Sequence, residues 1–386
     1  MGRHGRDRAR RGGGVLAGRG GQGGAAPAGP GRGGAGVIDL DAALAHFWHP
    51  VCTLSELRST DSGVGPLPVR LLEQDLVVVE LDGAPVAMAD RCVHRSTRLS
   101  VGWVDDGCLR CPYHGWAYDR DGRCVDIPAM PDAPIPPKAR TAAFDTVVAY
   151  DTVWVRLDSS SDTVVPACDA FGDEEMKTLQ GDPYTWPVGA PRRVENFVDL
   201  SHFAWVHDGS LGSRELPVPP IPEVERVCGD HGAELRFAFD PPIEPPDDVA
   251  LVARSEYRMP MPLTVDIHFL YDDGRRRDLW MTASPIDPGT CRTFWFVSRT
   301  DDLDGDDRAH LAFQDLVLAE DEPVVCNQVP RAMPLDPGVE VSVRSDKVSI
   351  EYRRWLRELA AAAAEGALGG ALGSPVARVV ADGLAS

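Results

Sequence analysis

No apolar run in these 386 residues approaches the roughly twenty that a membrane-spanning helix needs. A helical membrane protein is thereby excluded, and no signal-peptide pattern is present at the start. Lysine is scarce: Lys138, Lys177 and Lys347 are the full set, and arginine supplies the remaining basic charge. Cysteine is present but shows no framework. There are nine, an odd number, without regular spacing, which argues against a disulfide scaffold and for a reducing cytoplasm. Positive charge is in deficit, with a net charge of −20. Such a chain is not expected to bind nucleic acid or an anionic membrane surface broadly.

A hydrophobic share of 43% and a charged share of 25% suit a globular chain long enough for two domains. Residues 1–36 stand apart. Fifteen glycines and seven arginines, with almost nothing apolar to bury, predict a disordered tail. Arg10-Arg11 there lacks the hydrophobic core of an export signal, and an RNA-binding Arg-Gly tail is a second reading. Residues 37–160 form a first domain. It opens on a helical rhythm from Val37 towards Leu57, broken at Pro50, with His46 and His49 packed rather than metal-binding. Short alternating runs follow, with Asp82-Gly83 as a hairpin turn. Val147–Leu157 closes this domain as a strand or pair. Residues 161–386 form a second domain, in which β-like runs over about a hundred residues lie between helical segments. No internal repeat is visible.

Chemistry concentrates in Cys92–Gly115. Two clamps, Cys92-x-His94 and Cys111-x2-His114, each offer one thiolate and one imidazole. Two irons bridged by sulfides need four protein ligands, and a Rieske centre places two Cys on one iron and two His on the other. Zinc modules more often group their ligand types. Cys108-x2-Cys111 imitates a zinc or redox pair.

CPYHGW following a C-x-H loop resembles the Rieske non-haem iron oxygenases. Respiratory-type Rieske proteins carry an extra Cys in each loop and bridge them. Thr97 and Tyr113 occupy those positions here, which favours the oxygenase branch. FWHPV, at 47–51, is similar to the entry segment of many such enzymes. The resemblance implies a small all-β Rieske 2Fe–2S domain over 37–160. It also implies a helix-grip catalytic domain over 161–386, an antiparallel sheet with helices, for an α+β fold.

A second centre is written in VENFVDLSHFAWVHDG. Its polar groups Asn196, Asp199, His202 and His207 are costly to bury without partners. Asp199 and His202 are three apart and share a helical face. His202 and His207 are five apart, roughly 140° on a regular helix, so the helix must end or bulge before both reach one metal. Gly209 supports an ending. The N-x2-D-x2-H-x4-H pattern is similar to the family's catalytic iron motif. Two His and one carboxylate make the facial triad of ferrous oxygenases. The third ligand is expected on a helix over 309–330, where the family pattern resembles Glu320-Asp321, Val324-Val325 and Gln328. Asp321 is chosen, with Asp315 the alternative and a solvated face expected for Glu320 and Glu322.

By resemblance, Cys92, His94, Cys111 and His114 hold the cluster, and His202, His207 and Asp321 hold mononuclear Fe(II). Asp199 bridges the two centres, and Asn196 lies near the iron. The implied enzyme is an oxygenase alpha subunit of the dicamba monooxygenase and vanillate O-demethylase type. It would hydroxylate or dealkylate a small molecule with O2, drawing electrons ultimately from NAD(P)H through a separate reductase or ferredoxin. Amine oxygenation and oxidative cyclisation share these motifs, and the arginine bias of a high-GC genome suits natural-product tailoring. The resemblance also implies a homotrimer, Asp199 of one chain facing the cluster of the next. The competing readings are a Rieske electron carrier or non-catalytic subunit, and a zinc-stabilised binding module. His268, in a strand, is read as a satisfied core histidine rather than a substrate contact.

Overall fold

A computed structural model describes residues 39–229, 232–241 and 252–368. The Gly/Arg-rich segment 1–36 and the last eighteen residues lie outside that description. Among the described residues, six α-helices accompany three antiparallel sheets.

The first helix is shorter than its periodicity predicts. Asp39 caps α1, Leu40–Leu44, accepting from the Ala42 amide. The chain then extends as the strand His49–Thr53, because a residue preceding proline is biased away from the helical region. This strand pairs with Thr152–Arg156. A Thr53/Glu56 capping box starts α2, Leu54–Arg58.

A six-stranded sheet runs in the spatial order 49–53, 152–156, 143–149, 84–89, 74–81 and 67–71. Its hairpin at Asp82-Gly83 has both residues at positive φ, 53° and 78°, as a type I′ turn demands. Two other tight turns use larger residues in the same region, Leu72-Glu73 and Tyr150-Asp151. The amides of Leu72 and Glu73 donate to the carbonyls of Pro285 and Ile286, each at 2.8 Å. These bonds hold the unfavourable backbone and tie the first region to the second. A four-stranded sheet, 103–105, 108–110, 117–118 and 124–126, carries the cysteine–histidine loops.

The third sheet has eight strands. Seven lie in the order 177–180, 290–299, 276–287, 264–271, 252–260, 232–239 and 225–229, and strand 184–186 also pairs with 290–299. Side chains alternate between its faces. One face, with Tyr257, Met259, Val265, Ile267 and Met281, shares a core with α3, Ala190–Val198, α5, Asp307–Val325, and α6, Lys347–Ala364. Trp280 and Phe296 point the other way and pack against Trp154 and Cys168. This α+β arrangement of a sheet gripped by helices is the one anticipated. All nine cysteines are free. No described helix is long and apolar enough to cross a membrane.

Candidate active site

The two clamp loops fold alike. In the first, the Cys92 amide donates to Thr97 and Ser96 donates back to Cys92. In the second, Cys111 donates to Trp116 and Gly115 donates back to Cys111. Each loop turns on a residue at positive φ, Ser96 at 60° and Gly115 at 72°. A Cβ on Gly115 would also meet Pro128 Cγ at 3.2 Å. The imidazoles of His94 and His114 lie 4.5 Å apart, and Trp116 stacks on His94 at 4.6 Å, nearly parallel. Cys92 and Cys111 are both buried and in contact. Burial, the largest influence, raises the Cys111 thiol, so a free thiol there stays protonated.

The donors are therefore sorted by kind, sulfur with sulfur and imidazole with imidazole. They do not converge on one point. Among the described residues, the one group of three or more His, Cys, Asp or Glu with ligand atoms within 4.8 Å of one another is His202, His207 and Asp321. Four donors around a single zinc would form such a group. His94 Nδ1 is buried with no hydrogen-bond partner, an orphan that a metal bond would satisfy. These donors fit a two-iron cluster better than a single ion.

The second centre depends on a broken helix. α3 stops at Val198 and a single turn, α4, Phe203–Val206, begins after His202. His202 and His207 flank that turn, with ring centroids 4.9 Å apart. The break thus comes before His202 as well as after it. Asp321 comes from α5, more than a hundred residues later. Its Oδ1 stands 3.5 Å from His202 Nε2 and 3.3 Å from His207 Nε2. Each imidazole uses its other nitrogen outward. His202 Nδ1 donates to the Asp199 carbonyl at 2.5 Å, and His207 Nδ1 to Glu320 Oε2 at 2.7 Å. Burial opposes ionisation of Asp321, but the His207 hydrogen bond and the Arg193 charge hold its carboxyl below the usual range. The three donors suit a ferrous ion of the facial-triad type. A cavity of ≈ 690 Å³ opens beside them, lined by Phe203, Tyr257, Phe269, Val297, Phe313 and Gln314 among others.

Residues 47–142 match the family model for the Rieske [2Fe-2S] domain, and residues 187–362 that for the vanillate O-demethylase oxygenase C-terminal domain. The methylxanthine N3-demethylase NdmB of Pseudomonas putida is 45% identical over 334 residues, 84% of this chain and 91% of that protein. The methylxanthine N1-demethylase NdmA of the same organism is 43% identical, again over 84% and 91%. This chain belongs to the Rieske oxygenase family. The solved structure of NdmA with caffeine superposes with a TM-score of 0.80 at 42% identity, covering 88% of this chain and 98% of that one. Dicamba monooxygenase bound to dicamba shares the fold, with a TM-score of 0.68 at 19% identity, covering 83% and 99%.

As a Rieske oxygenase the protein is an enzyme that uses O2 and supplied electrons to hydroxylate or dealkylate a small organic molecule. Its two domain types imply a 2Fe–2S cluster and a mononuclear iron.

Asp199 and Glu320 are placed otherwise than the sequence reading of this oxygenase expects. Asp199 does not present its carboxylate to His202. The helix has ended by then, so its backbone carbonyl takes that role and its Oδ1 accepts from the Ser201 amide. Asn196 reaches Asp321 instead, donating to Oδ1 at 3.2 Å. Asp315 and Glu322 are exposed. Glu320, assigned to a solvated face, is half-buried against His207 and Ser210. His268 lies away from the cavity, bonded to Asp266 at 3.1 Å. Two further residues gave no signal. Tyr118 places its hydroxyl 3.1 Å from Cys92 Sγ. Arg193 is fully buried beside Asp321.

Proposed function

We propose that this oxygenase removes N-methyl groups from a methylated purine of the xanthine type. The observation that carries the reading is the 45% and 43% identity, over most of the chain, to two proteins named methylxanthine demethylases. The cavity suits it. Its walls are aromatic and aliphatic, and Gln314, buried on α5, offers an amide to a flat heterocycle bearing carbonyls and ring nitrogens.

In this reading Cys92, Cys111, His94 and His114 would hold the cluster, and His202, His207 and Asp321 would hold ferrous iron. When bound there, the two centres would supply single-electron delivery and O2 activation. Oxygen inserted at the N-methyl carbon gives a carbinolamine, which loses formaldehyde as the ring nitrogen regains a proton. One O2, two electrons and two protons yield the demethylated purine, formaldehyde and water. The Asp199 carbonyl and the Glu320 carboxylate fix both imidazoles with Nε2 inward. The apolar walls exclude water from the reacting carbon.

Electrons come from NAD(P)H through a separate reductase or ferredoxin, and the free cysteines suit a cytoplasmic location. The domains are assigned as 37–160 for the cluster and 161–386 for the iron. The assembly is a homotrimer in which one chain's cluster faces the next chain's Asp199. In its favour, Val93 and Tyr113, beside the cluster imidazoles, are 42% and 62% exposed and form an apolar rim for a second copy.

The test is incubation of the reconstituted enzyme with caffeine, NADH and a Rieske-oxygenase reductase. Formaldehyde should equal the dimethylxanthine formed. Absence of both formaldehyde production and methylxanthine binding would refute the substrate class and leave the oxygenase assignment standing.

A further inference from the structure

α3 sets Arg193, Asn196 and Phe197 on one face, three and four residues apart. Arg193 is fully buried, and a buried guanidinium is costly unless paired and hydrogen-bonded. Its surroundings clamp it. Its guanidinium carbon lies 3.9 Å from the Phe197 ring centroid and 4.4 Å from that of Trp186. Nε and Nη2 donate to the Tyr184 hydroxyl at 3.0 and 2.8 Å. Only Nη1 faces the metal centre. It donates to Asn196 Oδ1 and lies 3.4 Å from Asp321 Oδ2. Among the described residues Asp321 is its single ion-pair partner.

The two oxygens of Asp321 are thereby divided. Oδ1 faces both imidazoles and the Asn196 amide, and Oδ2 faces the guanidinium. We propose that Arg193 is a positioning residue that limits Asp321 to one-oxygen coordination of the mononuclear metal ion. The proposal rests on the assignment of Asp321 as a ligand. A carboxylate bound through both oxygens would fill a further coordination position, and a facial triad needs open positions. A planar, five-donor guanidinium held on three sides keeps Oδ2 occupied in a way a mobile ammonium could not.

Two measurements test this on the full chain with its cluster intact. The first is a structure of the wild-type protein loaded anaerobically with Fe(II). The ion should bind Oδ1 alone, with Oδ2 still on Arg193. Coordination through both oxygens overturns the proposal and leaves Asp321 a ligand. An ion bound away from Asp321 overturns the assignment beneath it. The second is Fe(II) affinity in Arg193→Met and Arg193→Lys, with the visible cluster spectrum as the check on folding. Freeing the second oxygen and removing the repulsion between two nearby cations should tighten binding in Arg193→Met by roughly tenfold. Arg193→Lys, which keeps the charge but not the fixed fork, should fall between wild type and Arg193→Met. Weaker or unchanged binding in a folded Arg193→Met protein shows that Arg193 serves packing alone and refutes the proposal.

Discussion

The Glu320 carboxylate accepts the Nδ1 hydrogen of His207 at 2.7 Å, which leaves His207 Nε2 turned to within 3.3 Å of Asp321. The Ser210 hydroxyl donates to the same Glu320 oxygen. A carboxylate behind a metal-binding imidazole fixes its tautomer and raises its basicity. Glu320→Ala should therefore weaken mononuclear iron binding about 10- to 100-fold. Glu320→Gln, which keeps an acceptor, should lose less. Iron titration monitored beside an unchanged cluster spectrum measures both.

Asp321→Ala should lose the mononuclear iron and keep the cluster spectrum, because ferrous iron sits low in the affinity order and one of three protein ligands is gone. Asp315→Ala, six residues earlier on α5 and exposed, should keep both. Iron and sulfide analysis of the two variants decides the register of the ligand helix.

Tyr118→Phe removes a hydrogen bond to Cys92 sulfur, 3.1 Å away. Such a bond draws charge from the thiolate and favours the reduced cluster. A bond to a charged group is worth about 1.5 kcal/mol, which for one electron is roughly 60 mV. The reduction potential should fall by that order, read by redox titration of the visible spectrum. A variant with the wild-type potential would show the hydroxyl serving only the Val93 amide.

Asp199→Asn should keep its iron. His202 is held by the backbone carbonyl of Asp199, which the substitution leaves in place. Its effect should fall on transfer between centres in the proposed trimer, lowering turnover on the order of a hundredfold. Single-turnover kinetics separates the two: normal transfer in the variant would dissociate Asp199 from the bridge.

His268 gives a pH dependence of stability. In register it lies between Glu256 and Asp278 of the neighbouring strands, and its ring bonds Asp266. Burial opposes protonation, Arg276 does so more weakly, and Asp266 and Asp278 outweigh them, so its pKa is raised. A raised folded pKa gives stability fully present below the unfolded value, about 6.5, and lost as pH rises through the folded value. Thermal unfolding of wild type and His268→Gln should differ most in mildly acid buffer and converge towards alkaline pH. A constant difference would mean His268 does not titrate in this range.

The sequence was most informative where a site is built from neighbours along the chain. Cys92, His94, Cys111 and His114 sit in two tight loops, each closed by its own backbone bonds, so spacing and residue type alone single them out as the proposed cluster ligands. His202 and His207 flank one helical turn and were legible for the same reason. The hairpin at Asp82-Gly83 was readable because its two residues are those a type I′ turn prefers. The matching turn at Leu72-Glu73 was not, since its support comes from Pro285 and Ile286, far along the chain.

The sequence by itself thus determined the α+β class, the two loops and the pair of histidines, all products of short-range geometry. Only tertiary structure put Glu320 behind His207 and Asp315 in solvent, beside the Asp321 that the family resemblance had already singled out. It also placed Arg193 against a carboxylate 128 positions away. Helical periodicity tells which residues share a face, but only packing against another element tells what that face meets.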